Sequence, residues 1–233
     1  KSKQHPIGIF DSGLGGLTLL NSIKTKFPNE NFIYFGDTAH LPYGSKSKET
    51  IKIYSEKIVN FLIKKNTKLI VIACNTASSL AAKYLINKYN NIPIIEVITP
   101  CILNAVSQSE NNIIGIIGTE ATINSKIYSK LITKYNPNIK TKEIACPLLV
   151  PLIEEGWESS KIAKLIIKKY LDEMKQSNID TLILGCTHYS IMKNTILNSF
   201  NRKINIITSD NSINDTIKNN LCNHKLENNL NNH

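Results

Sequence analysis

Arginine is nearly absent from this chain. Arg202 is the one arginine among 28 basic residues, and the lysines are spread along nearly every amphipathic segment. No run of roughly five or six like charges occurs, so the formal net charge of +10 reads as solvated helix faces, and no nucleic-acid partner is expected. Long apolar runs are missing too. The longest, such as Leu69 to Cys74 and Ile113 to Ile117, fall far short of the roughly 20 residues that cross a bilayer, so no membrane association is expected. The opening Lys1-Ser2-Lys3-Gln4-His5-Pro6 has no apolar core of a signal peptide. No C-x-x-C pair occurs, and the five cysteines at 74, 101, 146, 186 and 222 are odd in number and widely spaced. That pattern excludes a disulfide-stapled mini-protein and implies a reducing, cytoplasmic setting. With 42% hydrophobic residues over 233 positions, a disordered or collagen-like chain is excluded and a sizeable core is expected.

What is present is an alternation of short apolar runs with segments of helical period. The runs are Ile7–Asp11, Asn31–Phe35, Leu69–Ala73, Ile94–Ile98, Ile113–Ile117, Thr181–Leu184 and Ile204–Ile207. The helical segments lie between them: Leu17 to Phe27, Ile51 to Leu62, Ala77 to Tyr89, Ile102 to Val106, Ile123 to Ile132, Ser159 to Met174, and one ending at Phe200. Strands apolar throughout are buried on both faces, which predicts an α/β protein with largely parallel sheets. A bare loop is expected around Pro147 and Pro151.

A weak internal repeat organises this alternation. Ile7-Gly-Ile-Phe-Asp-Ser-Gly resembles Ile114-Gly-Ile-Ile-Gly-Thr-Glu, and Leu69-Ile-Val-Ile-Ala-Cys74 resembles Thr181-Leu-Ile-Leu-Gly-Cys186. The expectation is two pseudo-symmetric α/β domains with the active site in the cleft between them. The first would comprise 1–98 plus about 205–233, and the second 99–204. The Asn-rich end, with nine Asn between 211 and 233, predicts a short helix from Ile213 to Leu221 followed by frayed chain.

In an open parallel sheet the ligand lies beyond the carboxyl ends of the strands. The residues there are Asp11-Ser12-Gly13-Leu14-Gly15-Gly16, Asp37, Tyr43-Gly44, Cys74-Asn75-Thr76, Gly118-Thr119 with Thr122, Glu154-Glu155, and Cys186-Thr187-His188. The glycine loop lacks the third glycine of a dinucleotide fingerprint. It reads as backbone donors feeding a helix N-terminus, suited to a carboxylate as readily as to a phosphate.

Cys74 and Cys186 are the sharpest feature, because each stands where a buried strand meets a following helix. Helix amides and dipole there favour a thiolate, which predicts lowered thiol pKa values. Cys101, Cys146 and Cys222 read as ordinary small buried residues. Zinc is disfavoured because C-x-H sets two ligands too close in sequence, and a redox pair because C-x-x-C is missing. A matched pair of thiols suits acid/base work on opposite faces of one carbon, with the two roles exchanging when the reaction runs backwards. Asp11 and His188 could each set the protonation of one thiol.

At these residues the chain resembles the glutamate racemases of the cofactor-independent aspartate/glutamate racemase superfamily. The resemblance is carried by Phe10-Asp-Ser-Gly-Leu-Gly-Gly16, Leu41-Pro-Tyr-Gly44, Ala73-Cys-Asn-Thr-Ala77, Ile117-Gly-Thr-Glu-Ala-Thr122, Val150-Pro-Leu-Ile-Glu-Glu-Gly156 and Leu184-Gly-Cys-Thr-His-Tyr189. It implies interconversion of L- and D-glutamate without cofactor or metal, supplying D-glutamate to peptidoglycan. It further implies that Cys74 takes the α-proton of D-glutamate and Cys186 that of L-glutamate, assisted by Asp11 and His188, with Glu154 a further acidic residue. Substrate-binding positions carried over are Asp11, Ser12, Tyr43, Gly44, Asn75, Thr76, Thr119, Thr122, Thr187 and His188. A homodimer is expected by analogy. The alternatives are an aspartate or related racemase, and a retired scaffold that binds nucleic acid or protein.

Overall fold

The computed structural model describes residues 2–228. The first half runs β1 (Ile7–Asp11), α1 (Leu17–Lys26), β2 (Phe32–Gly36), α2 (Lys48–Lys64), β3 (Leu69–Ile72), α3 (Asn75–Lys88) and β4 (Ile94–Glu96). After α4 (Ile98–Gln108) come β5 (Ile113–Gly118), α5 (Glu120–Asn124), α6 (Ile127–Tyr135), β6 (Lys140–Ala145), α7 (Leu149–Glu154), α8 (Lys161–Gln176), β7 (Thr181–Gly185), α9 (Lys193–Leu197) and β8 (Asn205–Ile207). Two helices close the described chain, α10 (Ser209–Ser212) and α11 (Asn214–Asn223).

Each half holds one four-stranded, all-parallel sheet, ordered β2-β1-β3-β4 and β6-β5-β7-β8. The repeat seen in the sequence is one of register as well as order. Ile7 pairs with Leu69 in the first sheet, and their counterparts Ile114 and Thr181 pair in the second. The central strands β1, β3 and β7 are buried along their whole length, because helices cover both faces.

Several expectations are corrected. β6, Lys-Thr-Lys-Glu-Ile-Ala, is a half-exposed edge strand without an apolar run, and nothing in its sequence announced it. The expected helix from Ile123 to Ile132 is two helices, broken at Lys126, whose φ of 57° is left-handed. The fourth strand ends at Glu96 because that carboxylate accepts from the Ile98 and Thr99 amides and starts α4. The loop at Pro147 and Pro151 contains α7. β8 pairs with β7, so residues 205–207 lie in the second sheet. The chain returns to the first half later, where Ile213, Ile217, Leu221 and Leu226 join the core around Ile7 and Ile23. The tail past Leu221 is tied down: the Asn228 amide donates to Glu30 and its side chain to the Asn29 carbonyl. The fraying expected at 229–233 lies outside the described residues. Among the described residues no helix is long and apolar enough to cross a membrane.

Candidate active site

Cys74 caps α3: its Sγ accepts from the Ala77 amide at 3.5 Å. Cys186 follows β7 at the matched position and heads a short 3-10 helix over Thr187–Met192 without a side-chain cap bond. The two thiols line one cavity between the halves, with Ser12, Tyr43, Thr76 and Thr119 among its walls. Both are buried, at 4% and 7% exposure. Behind Cys186, His188 Nδ1 stands 3.9 Å from the sulfur, and the far side of the ring, Nε2, meets Glu154 Oε1 at 2.5 Å. Glu154, His188 and Cys186 therefore form a continuous chain from the half-buried carboxylate to the thiol.

Asp11 is fully buried behind Cys74. Its Oδ2 accepts from the Gly13 and Gly16 amides at 3.2 and 3.1 Å, and its Oδ1 from the Thr187 hydroxyl of the other half at 3.3 Å. The glycine loop, expected to offer its backbone donors to a carboxylate or a phosphate, turns the Gly13 and Gly16 amides onto the chain's own Asp11. The hydrogen bonds to Cys74 come from Ser12 and Ala77, and Asp11 reaches the thiol through charge. The glycines serve close approach across the cleft. A methyl group built on Gly15 would stand 2.6 Å from His188 Nδ1, and one on Gly44 would stand 2.6 Å from Thr119 Cβ.

The predicted lowering of the thiol pKa values is also corrected. Burial pushes Cys74 up to about 12, and the Asp11 charge adds to that, outweighing the Ala77 and Ser12 hydrogen bonds. Burial raises Cys186 further still, against the backbone hydrogen bonds of the following turn. Asp11 is itself raised by burial, opposed by His188 and by the bonds from Gly13, Gly16 and Thr187. One helix N-terminus does not offset this burial, which favours the protonated form of both thiols.

The hydroxyls of Thr76, Thr119 and Thr122 form a triangle across the cleft, with separations of 2.9, 3.0 and 3.4 Å. Tyr43 lines the cavity while its hydroxyl donates to Asp37 at 2.6 Å, and His40 meets the other oxygen of Asp37 at 2.7 Å. Asn75 accepts from Tyr128 and donates to Ser209. All the predicted site residues come together. Asp11, Thr122 and Glu154 do so from behind the cavity wall, as partners of residues that line it. Sequence reasoning missed Tyr34, which donates to the Gly13 carbonyl at 2.7 Å, and Pro147, Val150 and Pro151, which close the far side. It also missed Tyr128 and Ser209. The run Val150-Pro-Leu-Ile-Glu-Glu-Gly156 was the available signal for Val150 and Pro151, and no pattern marks Tyr34 or Tyr128.

Two halves of one topology, each setting a thiol at the same strand end against a shared cavity, define the amino-acid racemase class. The Asp/Glu/Hydantoin racemase family matches residues 17–209. The glutamate racemase of Geobacter metallireducens is 45% identical over 203 residues, 87% of this chain and 75% of that protein. The one from a Sulfurihydrogenibium species is 48% identical over 209 residues, 89% of this chain and 80% of its own. A crystal structure of glutamate racemase from Francisella tularensis in complex with D-glutamate superposes with a TM-score of 0.91 at 40% identity, covering 99% of this chain and 85% of that one. The chain belongs to the glutamate racemases of this family.

Proposed function

We propose that the protein interconverts L- and D-glutamate by moving protons between the α-carbon and two thiols, with neither metal nor cofactor taking part. One observation carries this reading: Cys74 and Cys186 occupy equivalent strand ends of two matched halves and line the same cavity. In the L-to-D direction Cys186, as thiolate, takes the α-proton and the electron pair stays on the carbon. The Cys74 thiol then protonates the opposite face, leaving Cys74 as thiolate and Cys186 as thiol. The D-to-L direction exchanges the roles.

Burial favours the neutral form of both thiols, so in this reading thiolate formation is coupled to substrate binding. His188, backed by Glu154, is placed to hold the Cys186 proton, and Asp11 is the ionisable group beside Cys74. Tyr43, Gly44, Asn75, Thr76 and Thr119 bind the two carboxylates and the ammonium group in this reading, with Thr122 held behind the two threonines. Enclosure strengthens each of those contacts by removing water. The product would serve peptidoglycan synthesis in the cytoplasm, from a homodimer.

The test is incubation of the purified protein in D₂O with each enantiomer and no added cofactor. Racemisation with deuterium at the α-carbon is expected from both; absence of both overturns the reading. Side-by-side rates on aspartate decide the alternative substrate.

A further inference from the structure

Tyr128, from α6, is 1% exposed and does not itself line the cavity, yet it lies between the two thiol-bearing turns. Its hydroxyl donates to Asn75 Oδ1 at 2.6 Å, and Asn75 directly follows Cys74. Its ring packs on Gly185, which directly precedes Cys186: a methyl group built there would stand 3.3 Å from a ring carbon and 3.6 Å from the hydroxyl. The other end of the Asn75 amide donates to Ser209 at 3.4 Å, where the chain returns to the first half. A rigid aromatic residue of the second half thus reaches the neighbours of both cysteines, and its bond to Asn75 crosses between halves.

We propose that Tyr128 is a positioning residue that sets the separation of the two thiols across the substrate carbon. The ring keeps Cys186 at a fixed depth through Gly185, and the hydroxyl ties the first turn of α3, with Cys74 at its head, to that same ring. A two-thiol reaction is sensitive to this distance, because the second thiol must deliver its proton before the carbanion returns to the first. When the spacing slackens, the carbanion persists longer. The proton held by the abstracting thiol then has time to exchange with solvent before it goes back.

This inference rests on the two-thiol reading, and Tyr128→Phe in D₂O tests it. The ring stays and the tie is lost, so kcat/KM falls roughly tenfold, the size expected for one buried hydrogen bond expressed in the transition state. Deuterium in recovered, unracemised substrate should rise relative to deuterium in product. Wild-type rate and wild-type label ratio overturn the inference. So does a lower rate with an unchanged ratio, because a partly unfolded preparation loses active molecules without altering how each one partitions its carbanion. Should Tyr128→Phe not fold, Ser209→Ala frees the other end of the same amide and leaves the ring alone. It should cost roughly two- to threefold in kcat/KM with the same rise in recovered label, and an unchanged ratio there overturns the proposal. Failure of the unaltered protein to racemise glutamate would instead sink the function itself, and is read before any variant.

Discussion

Replacing Gly15 with alanine adds one methyl group at the narrowest crossing between the halves. The new carbon would meet His188 Nδ1 at 2.6 Å, Thr187 Oγ1 at 2.8 Å and His188 Cε1 at 2.9 Å, all tighter than real contacts of this kind. To regain ordinary contact at 3.4 Å the imidazole must retreat by roughly 0.8 Å. The ring has little freedom, since its Nδ1 serves Cys186 at 3.9 Å and its Nε2 meets Glu154 at 2.5 Å. A displacement near 1 Å in a proton-transfer partner costs about 100-fold in rate, which corresponds to about 2.7 kcal/mol of barrier. Overpacking one methyl group should cost folding stability only about 1 to 3 kcal/mol. The assay is kcat/KM for both enantiomers by circular dichroism, with an unfolding curve for the same preparation. Because the enantiomers have equal free energy, the two kcat/KM values must fall together, which provides an internal check. His188→Asn added to Gly15→Ala should cost far less than His188→Asn alone, since the ring's contribution is already lost. A Gly15→Ala protein within threefold of wild type would refute the claim that this glycine exists to admit the imidazole.

Three other outcomes are expected. Cys74→Ala should abolish racemisation and still let Cys186 exchange the α-proton of L-glutamate, with no exchange into D-glutamate; Cys186→Ala should show the reverse, and NMR of the α-position reads both. Asp11→Asn keeps an oxygen for the Gly13 and Gly16 amides, so its unfolding free energy should change by about 1 kcal/mol or less. Its kcat/KM should drop at least roughly tenfold through loss of the charge beside Cys74 and His188. Cys74, Cys101 and Cys146 are each raised by burial to about 12, and Cys186 lies higher. Thiols raised in the folded state keep their full stabilising contribution below the unfolded value of about 8.5 and lose it as the pH climbs through the folded value. Denaturant unfolding should therefore show flat stability from these groups up to about pH 8.5 and a decline above it. The slope approaches about 1.4 kcal/mol per pH unit for each thiol, and a flat curve to pH 11 would contradict the burial argument.

The elements legible in the sequence are those whose burial leaves a mark on composition. β1, β3, β5 and β7 are central strands with apolar residues on both faces, and they read directly from Ile, Leu and Val runs. β6 pairs on one side only and is solvated enough to carry two lysines and a glutamate, so it left no such mark. The break at Lys126 depends on one left-handed residue that is not glycine, and no side-chain preference announces it. The cysteines were legible because the repeat sets both at one position in each half. Their protonation was not, because it depends on enclosure by the opposite half, which outweighs the local helix end that a sequence displays. Tyr128 is an ordinary tyrosine in an ordinary helix until the fold sets it beside Asn75 and Gly185.

Enclosure of the thiols has a consequence for turnover. With Cys74 and Cys186 at 4% and 7% exposure, entry of glutamate to the sulfurs is expected to require that the halves part. Parting them breaks the bonds that cross the cleft, Thr187 to Asp11, Thr76 to Thr119 and Tyr128 to Asn75. Each catalytic cycle is then a closing, a proton exchange and an opening. The polar contacts that hold the thiols in line for the middle step set a ceiling on the speed of the last one.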